Sequence, residues 1–143
     1  MKLREVMTSP AIRIHPEEPV AVAARTMAQY NIGAMPVCGS NGRVCGLVTD
    51  RDIVTRCLAA GRSAVQTTVG DVMTANITAV SPDMDIEEAA ALMGKKQVRR
   101  LPVMENGKLC GMVSLGDLSI RGESTLKAGN ALYEISSNLS RRG

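Results

Sequence analysis

The chain is written twice, and that duplication constrains its fold more than any other feature. Leu3-Arg4-Glu5-Val6-Met7-Thr8 returns as Val69-Gly70-Asp71-Val72-Met73-Thr74. At the same spacing Pro16 matches Pro82, Val20 matches Ile86, Ala23 and Ala24 match Ala89 and Ala90, Met27 matches Met93, and Pro36-Val37 matches Pro102-Val103. One residue then drops out, after which Asn41-Gly42 matches Asn106-Gly107, Cys45-Gly46 matches Cys110-Gly111, and Asp52 matches Asp117. A repeat of this length is one supersecondary unit that buries its apolar face against a neighbour.

Each copy reads as β-α-β-β-α, giving an α+β (α/β) fold of two tandem repeats. A short β-rich run, Ala11 to Ile14 or Ile77 to Val80, leads through a proline turn into a helix. Val20, Ala23, Ala24 and Met27, and again Ile86, Ala89, Ala90 and Met93, form the stripe of a helix buried on one side. Asp85 followed by Glu88 predicts its cap in the second copy. Two short strands follow, Met35–Cys38 and Val44–Val48, then Leu101–Met104 and Leu109–Val113. Asn-Gly joins each pair and predicts a type I′ hairpin. A second helix is expected from Asp52 to Ala60 with Gly61 as its stop, and a shorter one from Asp117. The predicted organisation is a first repeat over 1–61, a polar linker over 62–68, a second repeat over 69–122 and a tail over 123–143. Within that tail Leu132, Ile135 and Leu139 predict an amphipathic helix from Thr125 to Leu139.

Composition narrows the function. Phe and Trp are absent and Tyr30 and Tyr133 are the only aromatic rings among 143 residues, which argues against base-stacking platforms. With 17 Lys and Arg against 14 Asp and Glu, the balance permits an anionic ligand without describing a nucleic-acid surface. No recognition helix or zinc-finger spacing supports DNA binding. No apolar run reaches the length of a membrane span, and Met1 to Thr8 lacks the apolar core of a signal peptide, so the expected location is cytoplasmic. Cys38, Cys45, Cys57 and Cys110 form no CxxC pair and predict neither disulfides nor a metal site. Cys45 and Cys110, at matching strand positions, are expected to be small buried apolar residues.

The strongest local signal is Gly46-Leu47-Val48-Thr49-Asp50-Arg51-Asp52, repeated as Gly111-Met112-Val113-Ser114-Leu115-Gly116-Asp117. Both fit G-h-h-[ST]-x-x-D. The pattern sets a hydroxyl at the mouth of a helix whose unpaired N–H groups favour an anion, with a carboxylate one turn on. The hydroxyl and the N–H groups suit a phosphate; the carboxylate suits ribose hydroxyls. The same residues are also capping boxes that satisfy backbone N–H groups. Duplication behind the same glycine favours the ligand reading, since capping does not require that glycine.

The repeated Val-Met-Thr, the apolar-Pro-Val strand, the Asn-Gly hairpin and the G-h-h-[ST]-x-x-D ending together resemble the CBS domain family over nearly residues 1 to 122. The resemblance implies two domains packed as a pseudo-twofold module whose clefts commonly take AMP, ADP, ATP or S-adenosylmethionine. It implies that Asp52 and Asp117 hold ribose hydroxyls and that Thr49 and Ser114 contact phosphate or ribose. By the same resemblance the base pocket would be lined by the start of the first strand, around Pro10 to Ile12 and Asn76 to Thr78, together with Met35-Pro36 and Leu101-Pro102. Arg99 and Arg100, where the first copy has Gly33-Ala34, are candidate phosphate ligands, with Arg51 as another. Because Leu115-Gly116 replaces Asp50-Arg51, the two clefts differ in chemistry, and Asp50 repels a phosphate unless turned away.

No catalytic set can be assembled: His15 stands alone before a turn proline where the second copy has Ser81. The expected role is therefore a non-catalytic regulatory module that binds an adenosine nucleotide, forms a homodimer and signals to a separate effector protein. The alternative is a ligand-free dimerisation or protein-interaction module.

Overall fold

A computed structural model describes residues 1–119 and 130–136. The first repeat contains α1 (Val20–Tyr30), β1 (Ala34–Cys38), β2 (Val44–Thr49) and α2, which opens as α-helix over Asp50–Asp52 and continues as π-helix over Ile53–Leu58. A single turn, α3 (Val69–Val72), opens the second repeat. It continues through α4 (Ile86–Lys96), β3 (Arg100–Glu105), β4 (Lys108–Ser114) and α5 (Leu115–Ser119). A further helix, α6, covers 130–136. Each repeat thus carries a two-stranded sheet, β1-β2 or β3-β4, beside its helices. The expected mixed helix-and-strand class is the one observed.

The described residues form two compact units, one of 11–77 with 107–109, the other of 1–10, 78–106, 110–119 and 130–136. Each unit is therefore completed by a Val-Met-Thr segment that the sequence places at the head of the other copy. In the first unit Val69 and Val72 are buried in one core with Val20, Ala23, Met35, Val37, Val48 and Cys57. In the second, Leu3 is buried with Ile86, Ala89, Ala90, Met93, Leu101, Val103 and Val113.

The residues just ahead of these segments supply hydrogen bonds that the helix starts lack, since the first N–H groups of any helix have no partner inside it. In the first unit Val20 N–H donates to Thr67 O at 2.9 Å and Ala21 N–H to Ala64 O at 2.9 Å. Residues 64 and 67, read from sequence as linker, thus serve as the cap of α1. In the second unit Ile86 N–H donates to Met1 O at 3.0 Å and Leu3 N–H to Met84 O at 2.9 Å. Asp85 sits at the N-cap of α4 but its side chain makes no cap bond. It pairs instead with Lys2 at 3.0 Å, so the expected Asp85 cap is replaced by a backbone cap and an ion pair.

Other local expectations change for definite reasons. The second hairpin is the anticipated one, with positive φ at both Asn106 (55°) and Gly107 (79°). The first has positive φ only at Gly42 (79°), and Gly42 N–H closes a turn onto Gly39 O at 3.0 Å. The residue by which the first copy is longer falls here, converting a two-residue turn into a longer one followed by a left-handed residue. The leading β runs reduce to one parallel bridge each, Ile14 with Val37 and Val80 with Val103. Ala24 is exposed whereas Ala90 is buried. The difference comes from α6, whose Ala131 lies against Gly94 of α4, while Ala131 and Ile135 are buried. Leu132 and Tyr133 are exposed, and Leu139 lies outside the described residues.

Candidate functional site

The repeated motif forms the junction between a strand and the helix that follows it. In the first unit β2 ends at Thr49, whose extended backbone (φ −117°, ψ 163°) turns the chain into α2. Asp52 N–H donates to Thr49 Oγ1 at 3.1 Å, and Thr49 N–H donates to Asp52 Oδ2 at 3.0 Å. The second unit repeats this arrangement: Asp117 N–H reaches Ser114 Oγ at 3.1 Å and Ser114 N–H reaches Asp117 Oδ2 at 2.8 Å. Both junctions are reciprocal capping boxes. Each carboxylate gives one oxygen to its cap. The other oxygen, Oδ1, takes no hydrogen bond from another described side chain in either copy.

The glycine of the motif has a packing reason. A Cβ on Gly46 would lie 2.7 Å from Thr74 O and 2.8 Å from Met73 Sδ; one on Gly111 would lie 2.6 Å from Thr8 O and 3.1 Å from Met7 Sδ. Leu47 and Thr74 exchange backbone bonds of 2.9 and 2.8 Å, as Met112 and Thr8 do at 3.0 and 2.8 Å. The glycine admits the Val-Met-Thr segment alongside the strand. It therefore does not separate a ligand site from a cap, contrary to the argument from sequence.

The remaining candidates fall into two sets, one in each unit. Around the first cap, Ala34 pairs with Thr49 across the sheet and Asp50 N–H donates to Gly33 O at 2.9 Å. Pro36 is buried in β1, and its carbonyl accepts from Ile14 N–H at 3.1 Å; Ile12 packs on the same core. Arg51 is exposed in the first turn of α2, and its backbone N–H donates to Asp50 Oδ1 at 2.8 Å. Around the second cap, Leu115 N–H donates to Arg99 O at 2.8 Å, which sets Arg99 beside the Ser114 junction. Arg100, also exposed, opens β3. The buried Pro102 accepts from Val80 N–H at 3.1 Å, and Thr78 is half-buried two residues earlier.

One residue went unnoticed in the sequence. Arg56 Nε lies 3.8 Å from Asp52 Oδ1, and Arg56 Nη1 donates to the carbonyls of Val72 and Met73 at 3.3 and 3.1 Å. Its position four residues after Asp52 on a helix was the available signal. The cysteines also differ from expectation. Cys45 is exposed and Cys110 half-buried, because both sit off the inward face of their strands; Cys38 and Cys57 are the buried pair. Burial pushes the Cys38 thiol above its ordinary value.

A family model for the CBS domain matches this chain twice, over residues 3–59 and 69–121. The chain belongs to the CBS domain family. The CBS domain-containing protein YhcV of Bacillus subtilis (strain 168) is 40% identical over 134 residues, covering 94% of each chain. The crystal structure of Hypoxic Response Protein I with two coordinated zinc ions superposes with a TM-score of 0.79 at 34% identity, over 85% of this chain and 98% of that one. The CBS domain pair of MJ0100, in complex with 5′-methylthioadenosine and S-adenosyl-L-methionine, shares the fold with a TM-score of 0.76 at 24% identity, over 84% of this chain and 94% of that one.

The zinc ions of that related structure overturn the expectation, drawn here from cysteine spacing, that this chain has no metal. Spacing along a chain does not report ligands brought together by folding. In this CBS pair no group of three or more His, Cys, Asp and Glu side chains converges among the described residues, so no zinc-dependent step is assigned to them. No described helix is long and apolar enough to cross a membrane.

Proposed function

We propose that this CBS domain pair is a non-catalytic regulatory module that binds an adenosine-containing nucleotide at its strand-end caps and passes the binding event to a separate effector protein. The observation that carries the reading is the in-register recurrence of a hydroxyl, a helix start and a carboxylate with one oxygen outside its cap. Asp52 and Asp117 would take ribose hydroxyls, and Thr49 and Ser114 would meet phosphate or ribose. Arg99 and Arg100, with Arg51 in the other copy, would read phosphate charge. Ile12 with Pro36, and Thr78 with Pro102, would hold the base against aliphatic walls. The adenosine ligands of MJ0100 support this choice of ligand class.

Thermal unfolding tests the reading, with AMP, ADP, ATP, S-adenosylmethionine and zinc chloride each supplied in excess. A ligand selective for the native state stabilises it by about 2.7 kcal/mol at a hundred times its Kd. The expected result is a raised midpoint with one adenosine compound, lost in Asp52→Ala or Asp117→Ala. No shift with any of them refutes nucleotide binding. A shift with zinc alone redirects the assignment to a metal.

A second reading, a homodimerisation or protein-interaction module without ligand, draws on Val54 and Leu58. They lie one turn apart on α2, 54% and 60% exposed, with Tyr30 and Val65 also exposed in the same unit. Sedimentation of wild type and Leu58→Asp distinguishes it: dissociation on substitution supports dimerisation through α2, and a wild-type monomer refutes it.

A further inference from the structure

We infer that Arg56 is a positioning residue that ties the Asp52 carboxylate to the carbonyls of Val72 and Met73, so that the first cap and the Val72–Thr74 segment move as one body. The inference rests on the proposed nucleotide site for its functional meaning, but its geometry stands alone.

Asp52 is nearly enclosed, its side chain 11% exposed, and its Oδ2 is committed to Thr49 N–H. Oδ1 faces Arg56 Nε at 3.8 Å, too long for a hydrogen bond and short enough for charge attraction. The same guanidinium turns Nη1 onto Val72 O and Met73 O, carbonyls at the end of α3 that no further helical turn satisfies. Only a planar fork serves both directions at once; an ammonium is a single point of charge.

These contacts close a ring. Met73 and Thr74 lie against Gly46, and Thr74 exchanges two backbone bonds with Leu47. Within β2 the chain passes from Leu47 to Thr49, Thr49 is capped by Asp52, Asp52 faces Arg56, and Arg56 returns to Met73. A displacement of Asp52 by a ligand hydroxyl on Oδ1 therefore reaches Val72 and Met73 through one side chain. The π-helical turn over Ile53–Leu58 carries Arg56, and Ala59 N–H bonds Val54 O five residues back. Such turns occur often where a helix serves a site.

Amide hydrogen exchange on the ligand-free protein reads this coupling directly, comparing wild type, Arg56→Gln, Arg56→Lys, Asp52→Asn and the double variant Arg56→Gln with Asp52→Asn. Arg56→Gln should speed exchange at the Thr49 amide, which Arg56 does not touch, by roughly threefold to tenfold, the scale of coupling between groups in one network. Arg56→Lys should rescue it only in part, and Arg56→Gln should add nothing in the Asp52→Asn background. Unchanged Thr49 exchange, or equal acceleration across the whole unit, overturns the inference and leaves Arg56 a general stabiliser. Titration of the same variants with AMP, ATP and S-adenosylmethionine forms the second arm. If wild type binds one of them, Arg56→Gln should weaken it by a similar factor. If wild type binds none, the nucleotide reading fails while the exchange result still decides the role of Arg56.

Discussion

Adding one methyl group at Gly46 would force its Cβ to within 2.7 Å of the Thr74 carbonyl, a backbone atom that cannot rotate away. Gly46→Ala is therefore expected to cost about 1–3 kcal/mol in urea denaturation, as overpacking does. Gly111→Ala, facing Thr8 O at 2.6 Å, should cost a similar amount. Gly116→Ala is the contrast. Its Cβ would meet only Ser114 Oγ at 3.6 Å, and it sits in α5, so alanine should add roughly 0.5–1 kcal/mol of stability. At this scale the sequence disclosed the motif but misassigned its glycine, because the atom that requires it, Thr74 O, lies beyond the first copy. Arg56 escaped for the same reason: its spacing from Asp52 was readable, its reach to Val72 and Met73 was not.

Among the elements, the N-terminal segment is tied down by burial, backbone bonds and ion pairs together. Leu3 is wholly buried, Met1 O caps α4, and Lys2 and Arg4 pair with Asp85 and Asp83 at 3.0 and 2.6 Å. Leu3→Ala should lower stability by about 2–5 kcal/mol, with faster amide exchange in 78–106 than in 11–77. The Lys2 side chain, by its hydrogen bond and then its charge, holds the Asp85 carboxyl below its ordinary value of 3.8. A carboxyl whose pKa is depressed on folding adds stability above the unfolded value and loses it as pH falls through the folded one. Acid below pH 3.8 should therefore release the Leu3 and Ile86 amides to exchange, and Lys2→Met should abolish that step. The apolar stripe predicted α1 and α4 correctly, since periodicity reports a helix face. It could not tell that Ala90 is covered by α6 while Ala24 is bare, because what covers a face is a tertiary fact.

For the whole molecule, the two compact units do not coincide with consecutive stretches of chain: the segments 1–10 and 11–77 belong to different units. A fragment of 1–61 would keep Leu3 without the core that buries it and would lose Val69, Val72 and the Thr67 carbonyl that caps α1. It is expected to show little cooperative unfolding by circular dichroism, whereas a fragment of 11–77 should retain more helix and a transition. The repeat itself was legible from internal self-similarity, and with it the order of helices and strands. The partnership of each leading segment was not, because two segments sharing Val-Met-Thr offer a similar apolar pattern to either core, and only the folded chain chooses between them.

That choice bears on what one copy alone could do. A chain carrying one copy would possess a Val-Met-Thr hook and a groove for one, yet could fill its groove only with the hook of another chain. Two such molecules trading hooks would form an obligate pair. Carrying both copies in one chain supplies each groove with a hook through the backbone rather than by diffusion.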